Sequence, residues 1–89
     1  MIRRAVNYAG RVQGVFFRAT AKRCAEAHPV TGWVRNEPDG TVQLEIQGTP
    51  AAVEAALTDI RAAKSGNIER ESAHDLPTVG GETGFEIRR

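Results

Sequence analysis

Gly10-Arg11-Val12-Gln13-Gly14-Val15-Phe16-Phe17-Arg18 joins a strand-like run, residues 2–9, to a helical pattern over residues 17–27. A glycine-containing loop between a strand and a helix suits an anion, because glycine permits close backbone approach and the first helical N–H groups are free. Arg18 ends the loop, and its guanidinium offers the same anion a planar fork of donors. Spacing alone is a weak signal, since most turns of this kind bind nothing.

The first helix and the hairpin that follows it have clear boundaries in the sequence. Pro29 ends the helix, because proline cannot continue the hydrogen-bond ladder. A Pro-Asp-Gly turn at residues 38–40 then separates two strand-like runs, residues 30–36 and 41–47, which is typical of a hairpin. The stripe expected to be buried on the first helix consists of Phe17, Ala21, Cys24 and Ala25.

The second helix begins with its own signals, and weaker strands follow it. Thr49 is a suitable N-cap with Pro50 at the first helical position, and Gly66 is a suitable left-handed end. Residues 67–76 predict an exposed edge strand, and residues 85–89 a short last strand. The buried stripe of this helix is predicted to consist of Val53, Ala56, Leu57, Ile60 and Ala63.

The order β-α-β-β-α-β, followed by a short extra C-terminal strand, predicts an α+β protein. Right-handed crossovers and a hairpin fold such a chain into a ferredoxin-like α/β sandwich, an antiparallel sheet with both helices on one face. We expect a single domain over residues 1–89, because the chain is short and no linker interrupts it.

Composition excludes several classes of partner. Twelve Lys and Arg against 11 Asp and Glu give a net charge of +1, which provides no general attraction for nucleic acid or a membrane surface. No apolar run approaches the length of a membrane span, and no signal-peptide core follows the N-terminus. The single cysteine, Cys24, excludes an intramolecular disulfide and favours a reducing compartment, so a cytoplasmic location is expected.

Two segments together resemble the signatures of the acylphosphatase family. The loop Gly10 to Arg18 is similar to the family's phosphate-binding signature, and Gly32-Trp33-Val34-Arg35-Asn36 with Asp39-Gly40 is similar to its second signature. Thr83-Gly84-Phe85-Glu86-Ile87 looks like the family's C-terminal strand. The resemblance covers nearly the whole chain in the right order, so it is a specific one.

The resemblance implies an acylphosphate phosphohydrolase, which hydrolyses the carboxyl–phosphate bond of small acyl phosphates without metal, cofactor or covalent intermediate. By motif position it implies Arg18 and Asn36 as the catalytic residues. The implied phosphate cradle is the set of backbone amides of Gln13, Gly14, Val15, Phe16, Phe17 and Arg18.

These residue types suit that chemistry. The leaving group of an acyl phosphate is a stable carboxylate, so no strong general acid is required. Loop amides and one bidentate guanidinium can hold the charge on the equatorial oxygens. The neutral carboxamide of Asn36 can accept a hydrogen bond from water and orient it. Neither motif offers an evident base, so the water's proton is expected to pass to a phosphate oxygen.

Each residue also has a plainer interpretation. Arg18 is otherwise a surface helix residue, and Asn36 is otherwise an initiator of the Pro-Asp-Gly turn. Trp33 and Phe16 are expected to serve in packing and not in substrate contact. Arg11 either steers the anion or is simply solvated, and the sequence leaves this open.

The other reactive side chains are expected to have structural roles and not catalytic ones. Glu37 and Asp39 are expected to be turn residues, because a carboxylate pair would repel a phosphate dianion. His28 and His74 have no second ligand at metal spacing, so no metal site is expected. Cys24 is expected to be a small core hydrophobe and not a nucleophile.

Three other functions remain to be weighed on the same fold. A non-catalytic anion-binding module is the main alternative, because fold does not decide function. An RNA-binding sheet requires exposed aromatics, whereas the polar side of residues 41–47 has none. An acylphosphatase-like domain of a larger carbamoyl-phosphate-using enzyme is less favoured, because the sequence stops at Arg89. An edge strand carrying Arg70 and His74 favours a monomer.

Overall fold

A computed structural model describes residues 1–89, and it confirms the predicted order of helices and strands. The two helices lie on a single five-stranded sheet. The elements are β1 (Ile2–Gly10), α1 (Phe17–Glu26), β2 (Thr31–Asn36), β3 (Val42–Gly48), α2 (Pro50–Ala63), β4 (Ile68–Leu76) and β5 (Phe85–Arg88).

The sheet has the strand order β4-β1-β3-β2-β5, and it is mixed where the sequence predicted an antiparallel one. The first four strands pair antiparallel, which confirms the ferredoxin-like fold. The last strand, β5, pairs parallel to β2, with Phe85 opposite Gly32. The chain leaves β4 at the end of the sheet where β2 begins. A crossing along that end therefore starts β5 in the same direction as β2.

One hydrophobic core fills the space between the sheet and the two helices. On β3 the predicted alternation is confirmed, since Val42, Leu44 and Ile46 are buried in this core. Cys24 is only partly buried beside the core, whereas Ala21 and Ala25 on the same helix are fully buried. Alanines at these positions let α1 lie close to the sheet, so its first residues stay near the strand ends.

The second helix confirms its predicted start but not its predicted end. Thr49 caps α2 by accepting a hydrogen bond from the Ala52 amide, and Pro50 follows it. Gly66 is not left-handed and Ala63 is exposed, so both of these predictions were wrong. The reason is that the carbonyl of Lys64 accepts hydrogen bonds from two amides beyond it, at residues 67 and 68, which turns the chain without a left-handed glycine.

The open face of the sheet is partly covered by the segment Pro77–Gly84, which we call the strap. The buried Arg3 side chain, 3% exposed, donates to Glu45 and makes two hydrogen bonds to Glu82 of the strap. Hydrogen bonds from Arg3 lower the pKa of the Glu82 carboxyl. These contacts fix the strap that leads into β5, and Ile87 of β5 lines a pocket at the other end of that strand.

Replacing Tyr8 with Phe is expected to stabilise the protein. The Tyr8 ring is buried against Phe17, with centroids 5.0 Å apart, but its hydroxyl has no hydrogen-bond partner. Burial also raises the pKa of this hydroxyl well above its usual value. Removing an unsatisfied buried hydroxyl should raise the free energy of unfolding by about 1 kcal/mol, measured by urea denaturation. Tyr8→Leu, which loses the ring contact, should lower it, and a destabilised Tyr8→Phe would contradict this account.

Candidate active site

One open pocket of about 330 Å³ lies where three strands that run in the same direction come to an end. The strands β1, β2 and β5 end at this side of the sheet, and α1 begins there, so one place receives residues far apart in sequence. The pocket is lined by Val12, Gly14, Phe16, Phe17, Arg18, Ala19, Asn36, Ile87 and Arg89.

The loop between β1 and α1 presents a run of free backbone donors. None of the five amides of residues 12–16 donates a hydrogen bond to the protein's backbone. The next three amides form the first turn of α1, where no intrahelical partner exists. The N-cap residue of α1, Phe16, forms no side-chain capping bond, and the first turn contains no acidic residue. An anion placed here is attracted by unpaired donors and by the positive end of the helix dipole.

Two backbone features give the loop its curvature. Gly14 has a φ of 72°, and a side chain there would meet nothing within 4 Å, so conformation and not crowding requires glycine. Gly10 is required on both grounds, since its φ is 127° and a Cβ would lie 2.5 Å from the carbonyl oxygen of Asn67. Left-handed residues within a loop turn successive amides toward one point, which makes an anion-binding concavity.

Gln13 holds the loop against the hairpin turn through its side chain. Its Nε2 donates to the carbonyl oxygens of Glu37 and Thr41, at 2.8 and 2.9 Å. The residue itself does not line the pocket, and neither does Val15, although both were predicted to supply amides. The Gln13 side chain therefore fixes the distance between the loop and the end of β2, a role that the sequence did not indicate.

Asn36 lies at the end of β2 and lines the pocket, with its side chain taking no part in the turn that follows. Asp39 closes that turn, because its Oδ1 accepts hydrogen bonds from the Thr41 amide and hydroxyl at 3.0 and 2.6 Å. These bonds hold the pKa of the Asp39 carboxyl below its usual value. The turn interpretation of Asn36 is therefore not supported, and its carboxamide is free to bind a ligand.

Arg18 lines the same pocket as Asn36, from the first turn of α1. Its Nη1 donates to the carbonyl oxygen of Arg88 at 3.4 Å, which orients the side chain across the end of β5. A second arginine, Arg89, lines the pocket, whereas no Asp or Glu does. The fold therefore brings both candidate residues to one pocket, and the charged side chains that line this pocket are all positive.

Lys64 anchors the loop between β1 and α1 from outside the pocket. Its Nζ donates to the carbonyl oxygen of Val15 at 2.7 Å, and its own backbone is fixed at the end of α2. In a planar trans peptide the C=O and N–H point in opposite directions. A carbonyl of Val15 that is held by Lys64 therefore directs the amide of Phe16 away from Lys64, which itself lies outside the pocket.

Lys64→Met should weaken the binding of an anion such as inorganic phosphate in the pocket by about tenfold, the effect of losing one charge-assisted hydrogen bond. The loss should fall on anion binding more than on stability, because Lys64 orients an amide and supports no core contact. Arg61→Met is the matched control, since Arg61 is one turn earlier on α2 and its partner is Glu71. Phosphate titrations in which both variants behave alike would contradict the anchoring role.

Several pocket residues were missed or misjudged from the sequence. Phe16 was expected to pack, but its side chain is 84% exposed at the mouth of the pocket, and that prediction was wrong. The Ile87 and Arg89 side chains join the site only because β5 adds beside β2, and nothing local in the sequence indicates this. Cys24 does not line the pocket, and burial raises the pKa of its thiol.

Neither a metal-binding cluster nor a membrane-spanning helix is found in this chain. No three His, Cys, Asp or Glu side chains come together in a group that would hold a metal ion. Neither helix has the length and apolar character required to cross a bilayer. A reaction without metal or cofactor stays a prediction, and a chelator tests it directly.

Comparison with known proteins gives concordant results. A family model described as Acylphosphatase matches residues 4–87. The chain is 50% identical over 84 residues to the acylphosphatase of Thiobacillus denitrificans, covering 89% of this chain and 88% of that protein. It is similar to the crystal structure of acylphosphatase from Bacillus subtilis, with a TM-score of 0.88 and 27% identity over both full chains. The whole chain also matches a part of HypF from T. kodakarensis that makes up 12% of that protein, with a TM-score of 0.86 and 26% identity.

Proposed function

Because this chain belongs to the acylphosphatase family, we propose that it hydrolyses acyl phosphates at the pocket between the loop 10–18 and the end of β2. The products are a carboxylate and inorganic phosphate. The observation that carries the proposal is that Arg18 and Asn36 line one pocket together with part of a loop whose amides are unpaired, and that no carboxylate lines this pocket.

The phosphate group is bound by the loop in this proposal. Its oxygens accept hydrogen bonds from the backbone amides of Gln13, Gly14, Val15, Phe16, Phe17 and Arg18. The Arg18 guanidinium closes on the same group as a bidentate donor. These donors are in place before the substrate arrives, so they stabilise the charge that develops on the equatorial oxygens with little reorganisation.

Asn36 positions the attacking water. Its side-chain oxygen accepts a hydrogen bond from the water, which directs the water oxygen at phosphorus, opposite the leaving acyl oxygen. The new P–O bond forms as the bond to the acyl oxygen breaks, and the electron pair leaves with the carboxylate. The water's proton passes to a phosphate oxygen, because no Asp, Glu, His or Cys lines the pocket to accept it.

The remaining parts of the proposal concern the state of the protein. We propose that residues 1–89 form a single acylphosphatase-like domain, because one family model spans residues 4–87 and one hydrophobic core joins the sheet to both helices. The edge strand β4 carries charged and polar side chains, including Arg70 and His74, which favours a monomer. A single free cysteine favours the cytoplasm.

The test is hydrolysis of benzoyl phosphate in the presence of a metal chelator, followed by the loss of its ultraviolet absorbance. Turnover well above the uncatalysed rate supports a metal-independent acylphosphatase. Turnover that the chelator abolishes would overturn the metal-free part alone. A folded protein that binds inorganic phosphate without any turnover would instead establish the alternative, a non-catalytic anion-binding module.

A further inference from the structure

Phe16 is unusual in both its backbone and its side chain. It is the one non-glycine residue with a positive φ, 61°, a conformation that is unfavourable for a bulky L-residue. The residue is 84% exposed, so little packing compensates for the backbone conformation or for the apolar surface left in water. A strained, exposed aromatic residue at the mouth of a pocket indicates a binding role.

Ile87 lines the same pocket from β5. Its side chain is 39% exposed, although most large apolar residues of this protein are buried. The pocket is therefore divided chemically. Arg18, Asn36 and the loop amides supply its polar part, whereas Phe16 and Ile87 supply an apolar outer part.

We propose that Phe16 and Ile87 bind the acyl group of the substrate and make this enzyme selective for apolar, preferably aromatic, acyl phosphates. The inference rests on the function proposed above. When the phosphate is held by Arg18 and the loop, the acyl group extends toward the mouth, where these two side chains contact it. A pocket of about 330 Å³ lies at the small end of the range for ligand sites, which suits a phosphate with one ring.

The bound acyl group also supplies the packing contact that the exposed Phe16 ring lacks in the free protein. Contact with a flat ring removes apolar surface of both groups from water, and aromatic pairs gain further from their geometry. The methyl group of acetyl phosphate is smaller than a ring, so it makes less contact with either side chain. The enzyme should therefore discriminate between the two substrates through the acyl group alone, since both present the same anhydride.

The experiment measures the ratio of kcat/KM for benzoyl phosphate to that for acetyl phosphate. Phe16→Gly should lower this ratio about tenfold relative to the unsubstituted enzyme, the range found when a pocket loses an apolar contact. The same variant should unfold at a higher temperature, because glycine adopts the left-handed conformation without strain. Loosening of the loop slows both substrates, so the ratio isolates the acyl contact.

Two more variants complete the test. Ile87→Ser should lower the ratio without any change in the loop backbone. Val79→Ser is the matched control, since Val79 is a similarly exposed apolar residue, 45% exposed, that lies outside the pocket. Its ratio should match that of the unsubstituted enzyme.

The outcomes separate this inference from the function on which it rests. A lower ratio in both Phe16→Gly and Ile87→Ser, with none in Val79→Ser, supports acyl selectivity. Fast hydrolysis of both substrates with an unchanged ratio in the two pocket variants overturns the inference and leaves the acylphosphatase proposal intact. An absence of turnover with either substrate overturns both.

Discussion

Arg18→Ala is expected to lower kcat/KM for benzoyl phosphate by about a thousandfold, the upper range for removal of one preorganised donor and the lower range for a phosphoryl-binding arginine. Arg18 starts α1 beside the free amides, and the Arg88 carbonyl orients it. Its loss removes a bidentate contact that the backbone amides cannot replace. The measurement is steady-state hydrolysis, with folding checked by circular dichroism.

Arg18→Lys tests whether the charge of Arg18 or the planar geometry of its guanidinium supports the activity, and Arg23→Ala is the control. Arg18→Lys keeps the charge but loses the planar fork, so it should recover only a small part of the activity. Arg23→Ala makes the same change as Arg18→Ala on an exposed position of the same helix, and its kinetics should be those of the unsubstituted enzyme. If Arg18→Ala retained a tenth or more of the activity, the phosphate would have to be held by the loop alone.

Asn36→Ala should lower kcat by about a hundredfold with a smaller effect on KM, because an interaction that positions water is made in the reaction and not in substrate binding. The side chain lines the pocket, while Asp39 closes the neighbouring turn. Removal of the carboxamide therefore leaves the hairpin in place. Single-turnover and steady-state assays should agree on a slower chemical step.

The isosteric change Asn36→Asp tests the need for a neutral group. It keeps an oxygen that can accept from water, but its charge opposes a phosphate dianion, so activity should stay low. Asp39→Ala is the control for the turn, and it should affect stability more than turnover. Normal kcat in folded Asn36→Ala would remove Asn36 from the mechanism and assign the positioning of water to another group.

The local features of this fold could be predicted from the sequence, because they depend on interactions between residues that are close in the chain. The Pro-Asp-Gly turn, the Thr49-Pro50 helix start and the alternation along β3 each depend on residues a few positions apart, and all three are confirmed. The end of α2 was misjudged at Gly66, because that turn depends on the Lys64 carbonyl and not on a left-handed residue.

Part of the candidate site could be predicted from the sequence for the same reason. The loop that leads to Arg18 is one continuous segment, and Asn36 stands in a second recognisable one. Their meeting in one pocket agrees with the sequence, while their chemical roles stay predictions. Phe16 was misjudged, because an aromatic residue is normally buried and its positive φ has no signature in composition or spacing.

The sequence by itself determined the order of helices and strands, the loop with its free amides and the two candidate side chains, since each is set within one short segment. Only the tertiary structure decided that Lys64 holds the Val15 carbonyl, that Gln13 ties the loop to the hairpin turn, and that Ile87 lines the same pocket as Phe16. These contacts join distant residues, and they follow from how the strands are ordered and from the side on which β5 joins the sheet. A pattern within a short window carries no information about such pairings, because long-range packing sets them.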